Sequence, residues 1–243
     1  MGFFSVDGKF YRFLSRFLDM LKLNFLWAIC SIPIVTFGPA TIAAFSVTME
    51  MIDETEGYVG KKFFKTFKAN MKNGIPLGLL FLLGVYALWL DFQIMMLGEH
   101  IYIFVPAFCV GVFAVLTGFM WAFALEVRYE NTLIKTIKNS YDISVRYFVR
   151  FLLLIFVIAI EVVVFIFSPV TLLFGILVGP ACIMLTISGF AVPFFREIEK
   201  EDGAVIRPEK KDDDAQGEDA ETKKIPQKSG GIAQRAHMNT KNK

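Results

Sequence analysis

Residues 147–195 read YFVRFLLLIFVIAIEVVVFIFSPVTLLFGILVGPACIMLTISGFAVPFF and contain two charged side chains, Arg150 and Glu161. A break at Ser168-Pro169 divides this stretch into two apolar runs. Each run has the roughly 20 residues that an α-helix needs to cross about 30 Å of hydrocarbon. So short a break leaves room only for a tight turn. The stretch therefore predicts a transmembrane helical hairpin, with helices over 147–167 and 170–195.

The same pattern occurs earlier, where runs 75–97 and 101–123 are separated by Gly98-Glu99-His100. Over the whole chain 55% of the residues are hydrophobic, whereas soluble domains have about 45–50% apolar residues even when Gly is counted. Charged side chains are concentrated after residue 195, so the rest of the chain has too few of them to cover a soluble globule. The composition excludes a soluble globular domain, a nucleic-acid-binding protein and a disulfide scaffold. It predicts an all-α polytopic integral membrane protein.

The segment 23–52 is apolar but irregular. Proline lacks a backbone N–H and disfavours helix at the preceding residue, and a Gly-Pro pair suits the start of a new helix. We therefore predict a conformational break formed by Pro33, Thr36, Gly38 and Pro39. Two interpretations remain open: the segment crosses the membrane once, or it re-enters as two half-helices. Before this segment, within residues 1–22, helical spacing places Phe and Leu side chains on one face and mostly basic and polar side chains on the other. This pattern predicts an amphipathic helix at the membrane interface.

Basic residues decide the expected orientation. Loops 50–74 and 124–150 are rich in Lys and Arg, whereas the two hairpin tips contain neither. By the positive-inside rule both loops are cytoplasmic, as is the tail after the last helix. The tail, residues 196–243, balances 11 basic against 11 acidic side chains and has no aromatic residue. We expect it to be disordered. Re-entry of the segment 23–52 would keep the basic N-terminus on the cytoplasmic side as well.

Glu161 and Asp91 are the candidate binding or coupling residues. A carboxylate within an apolar span costs on the order of 3 kcal/mol on insertion scales, so it normally faces water or a partner. Glu161 therefore predicts either proton or cation coupling, or a hydrogen bond to a hydroxyl on a neighbouring helix, such as that of Thr117, Thr186 or Ser188. Asp91 is expected to be a polar anchor near the outer interface, close to Glu99 and His100. No catalytic constellation, metal-ligand motif or cofactor motif occurs, so we expect no enzyme, no metal and no cofactor.

Two weaker patterns concern packing. The heptapeptide Phe64–Asn70 resembles Ile134–Ser140, and each copy precedes a predicted hairpin. This indicates either two parallel units of a cytoplasmic helix plus a hairpin or a chance match of Lys-rich helices. Gly74 and Gly78 form a GxxxG pair, for which intramolecular helix packing is the expected use.

Three signatures resemble the YesL-like family of small bacterial membrane proteins, whose function is unknown. They are Ser31–Ala40 preceded by Leu23-Asn24, Glu54–Tyr58 leading into Phe63-Phe64, and Arg128–Lys135 followed by Lys138-Asn139. The resemblance covers about residues 1–195. Members of this family are often encoded beside sugar ABC transporters and glycan-degrading enzymes, which implies a bacterial plasma-membrane location and an accessory role in carbohydrate uptake. The expected partners are therefore the lipid bilayer and sugar ABC transporter subunits, with no nucleic acid.

The third signature also provides a candidate interaction site, formed by Arg128, Tyr129, Glu130 and Asn131. These residues either bind a helix of a partner or form a self-contained cap and salt bridge. From the sequence, the leading functional hypothesis is a non-enzymatic accessory or assembly partner of a carbohydrate ABC transport system. The alternative is a small independent transporter or channel in which Glu161 couples to protons or cations.

Overall fold

The computed structural model describes residues 9–53, 58–97, 101–129 and 132–202, and within them every regular element is helical. The prediction of an all-α chain is therefore confirmed for this part of the protein. A 3₁₀ turn at Ile34–Thr36 and a π turn at Gly118–Ala122 accompany the α-helices. The α-helices are α1 (Lys9–Ser31), α2 (Phe37–Ile52), α3 (Val59–Ala69), α4 (Met71–Met96), α5 (Ile101–Thr117), α6 (Phe123–Arg128), α7 (Leu133–Arg146), α8 (Phe148–Ile166) and α9 (Pro169–Asp202).

Five helical stretches of the described chain are long and apolar enough to cross a membrane. Their length and composition indicate a multi-pass membrane protein. Helix α4 packs along α5, and α8 packs along α9. The third stretch continues beyond the predicted residue 123 and reaches Arg128. The five stretches are Ile34–Ile52, Met71–Met96, Phe104–Arg128, Phe148–Ile166 and Pro169–Glu197.

Helix α2 forms the centre of the structure. All residues from Gly38 to Met49 are buried, and α2 contacts α1, α3, α4, α6 and α9. Small side chains at Ala40, Ala43, Ala44 and Ser46 allow these neighbours to approach closely, as in other tightly packed membrane helices. The irregular segment of the sequence therefore provides the core around which the longer helices pack.

The break before α2 is a short structured turn. Helix α1 ends at Ser31, and α2 begins at Phe37. The Thr36 hydroxyl donates to the Cys30 carbonyl oxygen in the last turn of α1 at 2.7 Å and to the Pro33 carbonyl oxygen at 2.9 Å, and the Pro33 carbonyl also accepts from the Thr36 backbone N–H at 2.9 Å. Helix α1 contains the described part of the amphipathic helix expected over residues 1–22, and it continues without interruption past residue 22 to Ser31. The described part of the segment 23–52 is thus two helices.

Gly38 makes the closest approach between α2 and α4. A Cβ atom on Gly38 would lie 1.9 Å from the carbonyl oxygen of Gly74 and 2.8 Å from the Cα of Gly78. In the native glycine, a Cα hydrogen points at that carbonyl, which is the geometry of a weak Cα–H···O contact. The Gly74 and Gly78 pair therefore faces a third glycine within the same chain.

Asn24 joins the first and last helices. Its side-chain amide donates to the carbonyl oxygens of Ile176 at 3.1 Å and Leu177 at 2.8 Å. In a regular helix the Ile176 carbonyl would accept from the N–H of residue 180, but residue 180 is proline and has no N–H. The amide of Asn24 thus satisfies a carbonyl that Pro180 leaves free within an apolar helix.

Candidate functional site

Glu126 is a buried carboxylate at the junction of α4, α6 and α7, with 4% of its surface exposed. The Asn73 side-chain amide on α4 donates to Oε1 at 2.9 Å. The Thr136 hydroxyl on α7 donates to Oε2 at 3.0 Å. Each carboxylate oxygen therefore has a donor from a different helix, which offsets part of the cost of burying the group.

The face of α7 that packs against the protein is mainly polar. Ser140 follows Thr136 by one turn, and its hydroxyl donates to the Thr136 backbone carbonyl at 2.7 Å. The same face packs against the π turn at Gly118–Ala122. A π turn adds one residue to a helical turn, so it changes the rotational position of the residues that follow it, Glu126 among them. The buried polar side chains of this face are Thr136, Asn139, Ser140 and Ser144.

Sequence reasoning missed this centre. The apolar run before Glu126 predicts a span that ends at residue 123, which places Glu126 in the loop 124–150. Two signals were available: the run continues as Phe123-Ala124-Leu125, and Thr136, Ser140 and Ser144 recur every four residues. The first pattern extends the apolar helix as far as Glu126, and the second places hydroxyl groups on one face of α7, but neither shows that the two meet.

Arg128 and Tyr129, two residues of the predicted interaction site, are packed inside the chain. The Arg128 guanidinium lies 3.9 Å from Asp53 at the end of α2 and 5.9 Å from the centre of the Phe195 ring. Tyr129 meets Phe195 edge to face, with ring centroids 5.8 Å apart. Asp53 also accepts from Arg196 on α9 at 2.6 Å. These contacts join α2, α6 and α9; Glu130 and Asn131 lie outside the described residues.

The two carboxylates singled out from the sequence lie on different helices. Glu161, on α8, is half-buried, and its Oε2 accepts from the Thr186 hydroxyl on α9 at 3.1 Å. Thr186 is one of the hydroxyls that the sequence offered as a partner. Asp91 lies on α4 and is partly exposed. No hydrogen bond or ion pair links Asp91 to Glu161 within the described part of the chain. Glu99 and His100 fall outside that part.

The polar side chains described above join neighbouring helices through hydrogen bonds and ion pairs. Among the side chains that the structure describes, no three His, Cys, Asp or Glu residues come together in a way that could hold a metal ion. The buried carboxylate of Glu126 and the half-buried one of Glu161 both accept from neutral hydroxyl or amide donors of adjacent helices. Such pairs hold helices in a fixed rotational and axial register.

One comparison with known proteins gives a match. Residues 20–92 match the family model described as "Protein of unknown function, DUF624". The matched region includes α2, the Gly38 contact with α4 and two of the three signatures, whereas the Arg128 signature lies beyond it. No curated protein and no solved structure gives a significant match. Residues 20–92 are thus similar to DUF624, the family of the YesL-like proteins, and the resemblance predicted from the sequence is confirmed over this part of the chain.

Proposed function

We propose that this membrane protein is a non-enzymatic accessory or assembly partner of a carbohydrate ABC transport system in the bacterial plasma membrane. Helices α4 with α5 and α8 with α9 form its two transmembrane hairpins. Loops 50–74 and 124–150 and the C-terminal tail are cytoplasmic, in agreement with the distribution of Lys and Arg. The carbohydrate system is the part of this proposal that rests on the family resemblance alone.

The non-enzymatic role is supported by the hydrogen bonds that Glu126 and Glu161 accept from neighbouring helices. Glu126 is bonded to Asn73 and Thr136, and Glu161 to Thr186. General acid–base catalysis requires a carboxyl group that can reach a proton of the substrate. Here the described donors are structural side chains of adjacent helices, so both carboxylates fix the arrangement of helices. A rigid helical assembly that presents surfaces to another protein accounts for this arrangement.

The start of α3 offers the partner a protruding surface. Tyr58 is 87% exposed, and Lys61 and Phe64 on the next turns are exposed too. Aromatic side chains are enriched among residues that anchor protein interfaces, whereas a lysine such as Lys61 suits the polar rim. Opposite them, Val59 and Phe63 are buried and fix α3 against the core. The exposed side chains are therefore presented from a rigidly packed helix.

The test is co-purification of the full-length protein from crosslinked cells that grow on a complex glycan. We expect permease subunits of a sugar transporter in near-stoichiometric yield. The variant Tyr58→Ser/Phe64→Ser should lose them, whereas Gly60→Ala, within the same helix and with open space around it, should retain them. A wild-type protein that purifies without any transporter subunit would contradict the accessory role.

A second candidate function follows from the position of Glu161. A half-buried carboxylate inside an apolar helix is a common device for coupling transport to protons or cations. In this case the protein is a small transporter or channel, and Glu161→Gln should abolish ion-dependent flux in liposomes while leaving the folded protein intact. Equal flux for the wild type and this variant would remove Glu161 from the mechanism.

A further inference from the structure

Helix α7 has the reverse of the usual amphipathic arrangement. Its packed face carries one apolar residue, Ile143, and four polar ones, whereas its outer face carries large apolar side chains; the polar residues are Thr136, Asn139, Ser140 and Ser144. Ile134 is 75% exposed and Val145 is 66% exposed, and Tyr141 lies between them on the same face. A helix that faced water on this side would normally show polar side chains there. The outer face of α7 therefore needs an apolar neighbour.

The position of α7 in the chain identifies that neighbour. Helix α8, a candidate membrane span, begins two residues after α7 ends and exposes apolar side chains from its first turn, at Phe148 and Val149. The apolar surface that α8 would present to hydrocarbon thus begins within two residues of the end of α7. Only Tyr147 separates the two helices, so the apolar outer face of α7 and the apolar surface of α8 adjoin one another along the chain.

The charges on α7 fit the headgroup region of an anionic bilayer. Lys135 and Lys138 are exposed beside Ile134, and Arg146 is exposed beside Val145. Asp142 is the one acidic residue of the helix, so α7 has a net charge of about +2. Long basic side chains next to an exposed apolar stripe are typical of helices that lie in the membrane plane, because their cationic ends reach the lipid phosphates.

The corresponding helix in the first half of the chain has a similar arrangement. In the heptapeptide that resembles Ile134–Ser140, Phe64 and Lys68 are exposed at the positions of Ile134 and Lys138. The Thr66 hydroxyl donates to Ser46 Oγ at 3.2 Å, just as Thr136 donates to Glu126. The two segments thus share both an inward hydroxyl tie and an outward apolar and basic face.

We propose that α7 is a membrane-interface helix that inserts Ile134, Tyr141 and Val145 at the acyl boundary and binds the phosphates of anionic lipids with Lys135 and Lys138. The inference requires only that the protein lies in a membrane, so it can fail or succeed independently of a transporter partner.

The first measurement locates the outer face. A single cysteine replaces Val145 in full-length protein whose Cys30, Cys109 and Cys182 are changed to Ala, and it carries an environment-sensitive fluorophore. The protein alone is placed in vesicles of equal parts phosphatidylcholine and phosphatidylglycerol. We expect lipids brominated in their acyl chains to quench this label at least half as strongly as a matched label at Val163, an exposed residue of α8. Quenching by aqueous iodide instead would overturn the proposal, because it would place the outer face of α7 in water, where a protein partner would have to cover it.

The second measurement tests the lysines. Phosphatidylglycerol is titrated into the detergent-purified protein, and its half-maximal stabilising concentration is read from thermal melts. A basic residue close to an anionic surface contributes roughly a fivefold preference, so Lys135→Gln/Lys138→Gln should raise that concentration roughly 25-fold. The charge-preserving Lys135→Arg/Lys138→Arg variant and the charge-matched tail variant Lys223→Gln/Lys224→Gln should both behave as wild type. An unchanged titration in the Gln variant would overturn the headgroup contact.

Discussion

Replacement of Gly38 by alanine is expected to separate α2 from α4. The added Cβ would lie 1.9 Å from the Gly74 carbonyl oxygen, so the helices must part by about an ångström before the contact reaches 3.0 Å. The obstructing atoms belong to the backbones of Gly74 and Gly78, which cannot turn aside as a side chain can. Overpacking typically costs about 1–3 kcal/mol, and rigid backbone neighbours favour the upper end. For a chain of this size, about 3 kcal/mol lowers the melting temperature by roughly 6–12 °C.

The assay is thermal unfolding of the detergent-purified protein, followed by size-exclusion chromatography of the fraction that stays monodisperse. Gly78→Ala provides the reciprocal test, since its Cβ would lie 2.5 Å from the Gly38 nitrogen. Gly60→Ala is the control: nothing lies within 4 Å of its Cβ, and alanine in a helix is favoured over glycine by up to about 1 kcal/mol. If Gly38→Ala melts within a degree or two of the wild type, the close approach of α2 and α4 is refuted.

Three further predictions concern ties between helices. Asn24→Leu should lower the free energy of unfolding by about 1–3 kcal/mol, because it leaves the Ile176 carbonyl unpaired. The loss should be smaller in a Pro180→Ala background, where residue 180 has a backbone N–H that can donate to this carbonyl. Equal losses in both backgrounds would exclude this explanation. Glu126→Gln and Thr136→Val should each lower the free energy of unfolding by about 1–3 kcal/mol, and the double variant should lose less than the sum of the two. Strictly additive losses would show that the hydrogen bond between Thr136 and Glu126 does not contribute to stability. Asp53→Asn should cost no more than about 1 kcal/mol, because Arg196, its shortest ion-pair partner, is more than half exposed, and the difference should diminish in high salt. A larger, salt-independent loss would contradict this.

The helices could be predicted from the sequence because each depends on local composition. Runs of apolar residues of sufficient length indicate spans wherever they occur, and Pro33 prevents a continuous helix by its own covalent structure. The family resemblance was also local, since two of its signatures lie within the matched residues 20–92. These features require no knowledge of which segments meet in space.

The centre around Glu126 depends on pairings between distant segments. Asn73 and Thr136 are far from one another in the sequence, and they meet at Glu126 only because α4 and α7 come together in the folded chain. The π turn that precedes α6 carries no distinctive residue pattern. The glycine pair in α4 was visible as a packing motif, but its partner Gly38 could be identified only once α2 was seen to cross it.

The bond from Asn24 to α9 has a consequence for how the chain is made. Helix α1 is synthesised first and α9 last, yet the carbonyl that Pro180 exposes in α9 is satisfied by a residue of α1. Within lipid no water can donate to that carbonyl, so the carbonyl lacks a hydrogen-bond donor from the time α9 inserts until α9 packs against α1. The side-chain amide of Asn24 likewise lacks these acceptors until α1 and α9 meet. Folding is therefore complete only when α1 and α9 meet, and a chain truncated before α9 would leave the Asn24 amide without these two acceptors.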